Sequence, residues 1–211
     1  VNATDFKKYI ENLATEKAPG PSTTFSMFHI FCAIELMEQK PIGRTKLAEK
    51  LGVGEGAIRT IVNRLKNAGL VITTKQGCSL TIKGREVWIM FKQFFPSTME
   101  IEKNDLTHSR YNWAFLVKNS GHKIKSGIEQ RDAAIMGGAK RAVAIVSKGG
   151  HLVIDSVSNS IEEEYPEAAK KILTEIKPDD NDVIIIAGTD DEPLKAKRGA
   201  FAAAWVLAGK E

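Results

Sequence analysis

The sequence predicts an α+β protein in two domains. A helical domain closed by a β-hairpin occupies residues 1–96. A small α+β domain follows at 97–211, with a mixed or antiparallel sheet carrying helices on one face. Three observations predict it. Apolar residues recur at helical spacing through most of the first half, whereas in the second half short strand-like runs trade places with helical ones. Pro96-Ser97-Thr98 interrupts an apolar helical pattern, and a PGPS run at 19–22 makes an earlier break. Residues 1–98 hold 14 Lys and Arg against 8 Asp and Glu, and residues 99–211 hold 16 against 18, so the balance changes sign at the second break. A positive field confined to one half fits a polyanion-binding module joined to a domain with another role.

In the first half, Thr23 or Thr24 caps a helix reaching Gln39, with Phe25, Phe28, Phe31 and Ile34 or Leu36 as its inward stripe; Pro41 ends it. Thr45 caps a short helix over 46–51. Gly52-Val53-Gly54 makes a tight turn, and a third helix covers 55–68 and stops at Gly69. Strands at 71–74 and 79–82 flank Lys75-Gln76-Gly77, and Thr81 caps a fourth helix running to Phe95.

In the second half, 112–118 alternates as a strand and 127–138 reads as a helix ended by Gly137-Gly138. Strands at 142–147 and 151–156 flank Lys148-Gly149-Gly150, a hairpin signal. Residues 161–176 form an amphipathic helix, 182–187 a buried strand around its VIII run, and 192–208 an Ala-rich last helix. A hairpin in the middle of the order β-α-β-β-α-β-α argues for antiparallel pairing.

One stretch carries specific chemistry. Residues 45–71 read TKLAEKLGVGEGAIRTIVNRLKNAGLV. Leu47, Ala48 and Leu51 give a short helix its apolar face, Gly52 supplies the turn, and Ile58, Ile61, Val62 and Leu65 fix the inner side of a second helix. Glu55, Gly56, Arg59, Thr60, Asn63, Arg64 and Lys66 remain outside, a face with donors for phosphates and base edges and little acidic repulsion. A lone basic helix would read as solvated charge; a short helix, a glycine turn and a hairpin in register around it favour nucleic-acid docking.

These residues closely resemble the winged helix-turn-helix domains of bacterial and archaeal transcription regulators, over about 25–95. The best markers are LAEKLGVGEGAIRTIVNRL, the AGLV exit and LTIKG after the hairpin. The resemblance implies that 55–68 is the recognition helix, that Arg59, Thr60, Asn63 and Arg64 meet double-stranded DNA in the major groove, and that Lys75, Gln76, Lys83 and Arg85 meet its backbone. Many members of the family carry Ser, Thr or Gln early in that helix, where this chain has Gly54, Glu55, Gly56 and Ala57, so base reading falls mostly on Arg59 and Asn63. The whole chain looks like an archaeal group that pairs such a module with a C-terminal domain of unknown function, through SGIEQRDAAIMGGAKRA and IIIAGTD. The implied function is a homodimeric transcription regulator with a C-terminal domain that senses a small-molecule effector or assembles. The competing class is an enzyme or RNA-associated protein with the winged helix as an accessory.

Weaker signals are weighed against bland readings. GVGEG at 52–56 lacks the Gly-Lys-Ser/Thr ending of a phosphate loop and reads as a turn. Val87, Trp88, Phe91, Phe94 and Phe95 exceed what one helix face needs, which points to core packing plus a second apolar surface. Glu129, Arg131 and Asp132 begin a helix and Thr189 and Asp190 follow the buried strand; these are candidate ligand-binding residues, against the plainer reading as helix-dipole partners and caps. The scattered His29, His108, His122 and His151, with Cys32 and Cys78 alone, make no metal site or disulfide framework. No nucleophile–base set assembles, so no catalytic residue and no cofactor are expected. With no apolar run near the ~20 residues of a membrane helix and no secretory leader, a cytoplasmic protein without membrane contact is expected.

Overall fold

The computed structural model describes residues 3–15, 25–155 and 157–208. It divides into two units, Val1–Phe91 and Lys92–Glu211. The caps proposed at Thr23 or Thr24, the 19–22 break and the end of the 151–156 strand at Ser156 lie outside the described residues.

The first unit begins with a helix absent from the expected order, α1 (Ala3–Ala14). Its buried Phe6, Ile10 and Leu13 follow helical spacing. Then come α2 (Met27–Gln39), α3 (Arg44–Leu51) and α4 (Glu55–Asn67). Ser26 caps α2, its amide donating to His29 Nδ1 at 2.9 Å. Gly43, not Thr45, is the N-cap of α3. Between α3 and α4, Gly52 adopts φ 63°, a left-handed turn that a side chain would strain. Strands β1 (Val71–Thr74) and β2 (Gly77–Leu80) pair antiparallel, leaving Lys75-Gln76 as a two-residue loop. Ile42 joins the ribbon by a single bridge to Cys78. The following helix, α5 (Ile82–Phe94), starts at Thr81, whose hydroxyl accepts from the Gly84 amide at 3.1 Å. The core is Phe6, Phe31 and Phe91 edge to face at 5.0 and 5.1 Å, above the buried Leu47, Leu51, Ile58, Ile61 and Leu65.

The second unit is a five-stranded sheet ordered β3-β4-β7-β5-β6, every pair antiparallel. The strands are β3 (Thr98–Ile101), β4 (Tyr111–Val117), β5 (Arg141–Lys148), β6 (His151–Val153) and β7 (Val183–Thr189). β3 is an addition to the predicted order. The helices are α6 (Ile128–Met136), α7 (Ile161–Glu164), α8 (Pro166–Lys171), which runs on into a π-helical turn at Ile172–Ile176, and α9 (Pro193–Leu207). The single helix expected over 161–176 is broken where Pro166, which has no amide hydrogen to donate, opens a new helix.

The sheet is antiparallel as expected, but helices cover both of its faces rather than one. Ala114 and Leu116 of β4, Ile145 of β5 and Ile184 and Ile186 of β7 pack with Ile161, Ala169, Ile172 and Ile176. On the opposite face Phe115, paired with Ile185, meets the rings of Phe95 at 5.7 Å and Phe201 of α9 at 6.0 Å. All seven residues of β7 are buried, so neither face can be left to water.

Phe115 is fully buried between two rings. Phe115→Ala should lower unfolding stability by about 3–5 kcal/mol, read as a shift of the denaturant midpoint without a change in slope.

Candidate nucleic-acid interface

Helix α4 is held from within and open outside. Ile58, Ile61, Val62 and Leu65 are buried, while Arg59, Thr60, Asn63 and Lys66 are exposed. Among the described residues no hydrogen bond or ion pair engages the side chain of Arg59 or Asn63. Lying four apart, they share one face, separated by one turn. The Thr60 hydroxyl donates back to the Gly56 carbonyl at 3.1 Å, leaving its oxygen lone pairs outward. At the head of the helix Thr45 of α3 donates to the Glu55 carboxylate at 3.4 Å, tying the two helices across the turn.

Arg64, unlike Arg59, is engaged by the fold and half-buried. Its Nη1 donates to the carbonyls of Leu13, Ala14 and Thr15 at 3.1, 2.9 and 2.7 Å, and the guanidinium lies over the Phe25 ring at 4.9 Å. A cation on the last carbonyls of α1 satisfies groups that a helix end leaves open and complements its dipole. Lys83 acts in the same way on α4. Its Nζ donates to the Ala68 carbonyl at the end of that helix, at 2.9 Å, beside the Thr81 hydroxyl on the Gly69 carbonyl at 2.7 Å. Arg85 faces Glu38 of α2 at 3.7 Å across the surface. Lys75 and Gln76 stand exposed at the loop tip, where the Thr74 hydroxyl accepts from the Gln76 amide at 3.2 Å and fixes the turn.

The structure adds basic residues to those expected from sequence. Lys40, Lys46 and Lys50 border an open groove of about 310 Å³ with Pro41, Ile42 and Gly43. Lys46 and Lys50 are spaced four apart on the exposed side of α3, a signal that helical spacing alone carries. Arg59, Asn63, Lys75, Gln76, Lys46 and Lys50 are all exposed, and their side chains are of the types that fork onto base edges or hold phosphates.

The candidate ligand residues of the second unit fall into two groups, one at the exit of β7 and one on α6. Thr189 and Asp190 sit at the exit of β7. Thr189 is buried, and its hydroxyl accepts from the Asp191 amide at 3.3 Å. Asp190 accepts from the Arg110 amide at 2.9 Å and from Arg141 at 3.4 Å. The Arg110 amide first, and the Arg141 charge after it, hold the Asp190 carboxyl below the usual carboxylate range. α6 runs back along the sheet. Its far end returns here, where the Lys140 amide donates to the Gly188 carbonyl at 2.8 Å. Its N-cap Gly127 lies beside Ala144, which pairs with Ile185 of β7, and the loop before it is tied to Asn181, whose side chain accepts from the His122 amide at 3.0 Å. Glu129 and Asp132 line a groove there, with Asp132 paired to Arg131 at 3.1 Å.

Residues 26–95 match the family model described as CggR N-terminal DNA binding domain, and residues 108–207 match the model Domain of unknown function (DUF4443). A solved structure, "Hypothetical protein PH0730 from Pyrococcus horikoshii OT3", is similar with a TM-score of 0.71 and 30% identity, covering 87% of this chain and 92% of that one. No curated protein matches the chain. Among the described residues, no helix is long and apolar enough to cross a membrane.

Two outcomes are expected. Arg64→Ala should destabilise the first unit by about 1–3 kcal/mol in denaturant titration while leaving the salt dependence of duplex binding unchanged. Asp190 contributes stability above its unfolded value near about 4, and that contribution is lost as pH falls through the lower folded value. Asp190→Asn should therefore flatten the acid side of a stability–pH curve.

Proposed function

This chain belongs to the same family as the Pyrococcus horikoshii protein, and from that membership and the geometry of α3, α4 and the hairpin we propose that it is a DNA-binding transcription regulator. In this reading α4 enters the major groove of duplex DNA, Arg59 forks onto a guanine edge and Asn63 onto an adenine edge. Lys75 and Gln76 at the wing tip, with Lys46 and Lys50, hold phosphates. The observation that carries it is the idleness of Arg59 and Asn63: both are exposed and uncommitted on the one helix whose other face is locked into the core.

The regulator acts as a homodimer reading two half-sites, and residues 97–211 form its sensing or assembling domain rather than an enzyme. The buried polar residues at the β7 exit support that assignment. Thr107, Ser109 and Asn112, all buried, are hydrogen-bonded to one another and to the exposed Arg141, a network that braces a loop instead of leaving a nucleophile poised.

Selection of bound sequences from a random duplex pool tests the reading. Arg59→Ala and Asn63→Ala should each cost about 1–3 kcal/mol on the selected site and little on random DNA. Lys75→Ala should weaken both alike and reduce the salt slope by about one unit. Equal losses on selected and random DNA from all three would make the module a general polyanion clamp. No duplex binding at all would exclude the regulator.

A further inference from the structure

Helix α6 carries its apolar residues on the exposed side as well as the buried one. Its inner face is already committed. Gln130 and Ala134 are buried, and a Cβ at Gly137 would come within 2.9 Å of the Gly199 backbone in α9. Arg198 Nε donates to the Gly137 carbonyl at 2.5 Å and fixes that end of the helix. Outside, Ile128, Ile135 and Met136 stand 51%, 47% and 90% exposed. Ile128 and Ile135 are seven apart, two turns along one stripe, and Met136 adjoins them. A single exposed apolar residue is ordinary on a protein surface. Three on one stripe of a nine-residue helix make a patch of the kind that marks an interface.

Charge names the occupant. Arg131 and Asp132 stand between the apolar residues, and Arg131 donates through Nε and Nη2 to Asp132 Oδ1 at 3.2 and 3.1 Å. Arg131 Nη1 and Asp132 Oδ2 take no part in a hydrogen bond or ion pair among the described residues. The order Ile128, Arg131, Asp132, Ile135 is self-complementary. A two-fold axis crossing the helix between residues 131 and 132 brings up a second α6 running the opposite way. Ile128 then meets the partner's Ile135, and Arg131 meets the partner's Asp132, each contact being made twice.

The same axis sets Met136 opposite the partner's Gly127. Gly127 is the N-cap of α6, and an open groove of about 850 Å³ is bordered by Gly127, Ile128, Ala133 and Met136 among others. Where glycine leaves out a side chain, there is room for an unbranched thioether. Lys123 and Lys125 in the groove wall are offset by Glu129 and Asp132, so the groove suits an apolar guest rather than an ion. We propose that α6 is the seam of a homodimer, two copies of the helix packing antiparallel about an axis between Arg131 and Asp132. The proposal rests on the reading of the chain as a homodimeric regulator and gives that dimer its contact surface. Two short helices make a seam at the low end of specific interfaces, so a dissociation constant in the micromolar range is expected.

Sedimentation of the full chain over about 1–100 µM measures the association. Met136→Glu should weaken it about tenfold or more. Arg131→Asp fills the axis with carboxylates and Asp132→Arg fills it with guanidinium groups, so each of these chains alone should also associate about tenfold more weakly or worse. Mixed one to one, the two reversed chains should pair with about the affinity of the unaltered chain, because every contact at the axis is again between opposite charges. All three positions are exposed, and an unchanged denaturant midpoint checks that each variant folds. A chain that stays monomeric at the highest concentration overturns the seam. So does a dimer indifferent to Met136→Glu and to both reversals, and so does a mixture of reversed chains that fails to pair. Duplex binding on the same samples separates the two readings. A duplex bound by a chain whose association ignores these changes removes the α6 seam and leaves the regulator standing. Reversed chains that pair with each other while the unaltered chain binds no duplex do the reverse.

Discussion

Strand β7 is the constraint from which the second unit follows. It hydrogen-bonds on both edges, to β4 and β5, and buries all seven side chains. A strand committed in this way needs apolar cover above and below. The Ala-rich α9 lies close on one side because its small residues allow it, with Phe201 and Trp205 filling the remaining space over Phe115. The segment from Ile161 to Ile176 supplies the other side. Polar chemistry is thereby pushed to the two ends of the strand. At the exit it is used up in bracing Arg110 and Arg141 around Asp190. At the entry it fixes the loop from Lys118 to Lys123 and leaves the α6 groove open beside it.

In the first unit the comparable demand comes from helix ends. A protruding α4 must keep its own terminal carbonyls satisfied, and so must the helix packed behind it. Arg64 and Lys83 answer those demands for α1 and α4 respectively. Two cations that composition assigns to a nucleic-acid surface thus serve the fold, while Lys75 at the hairpin tip and Lys46 and Lys50 of α3 stay exposed. A count of basic residues overstates the number of backbone contacts such a module can make, because every helix C-terminus competes for them.

Legibility from sequence follows the range of the interaction. The α3–turn–α4 unit is readable because its apolar spacing, its turn glycine and its exit glycine are local. The wing is readable for the same reason, although Gly77 belongs to β2 and only Lys75-Gln76 form the loop. α1 goes unpredicted in spite of Phe6, Ile10 and Leu13 at helical spacing, a signal present in the sequence. The role of Arg64 is invisible because its acceptors lie about 50 residues earlier in the chain. β3 escapes because Thr98–Ile101 is a four-residue edge strand, too short for its polar–apolar alternation to stand out directly after the Pro96 break. Helices on both faces follow from the VIII run, which alone cannot say how many layers cover it. The separation of Glu129 from Thr189 depends on the direction of α6, which no local pattern encodes.

Idle polar groups carry different weight according to where they lie. Arg59 and Asn63 are idle in water, which solvates them at little cost, so their idleness gains meaning only from the locked helix beneath them and the hairpin beyond it. The candidate nucleic-acid face is therefore marked by the agreement of several elements around it, not by any one side chain.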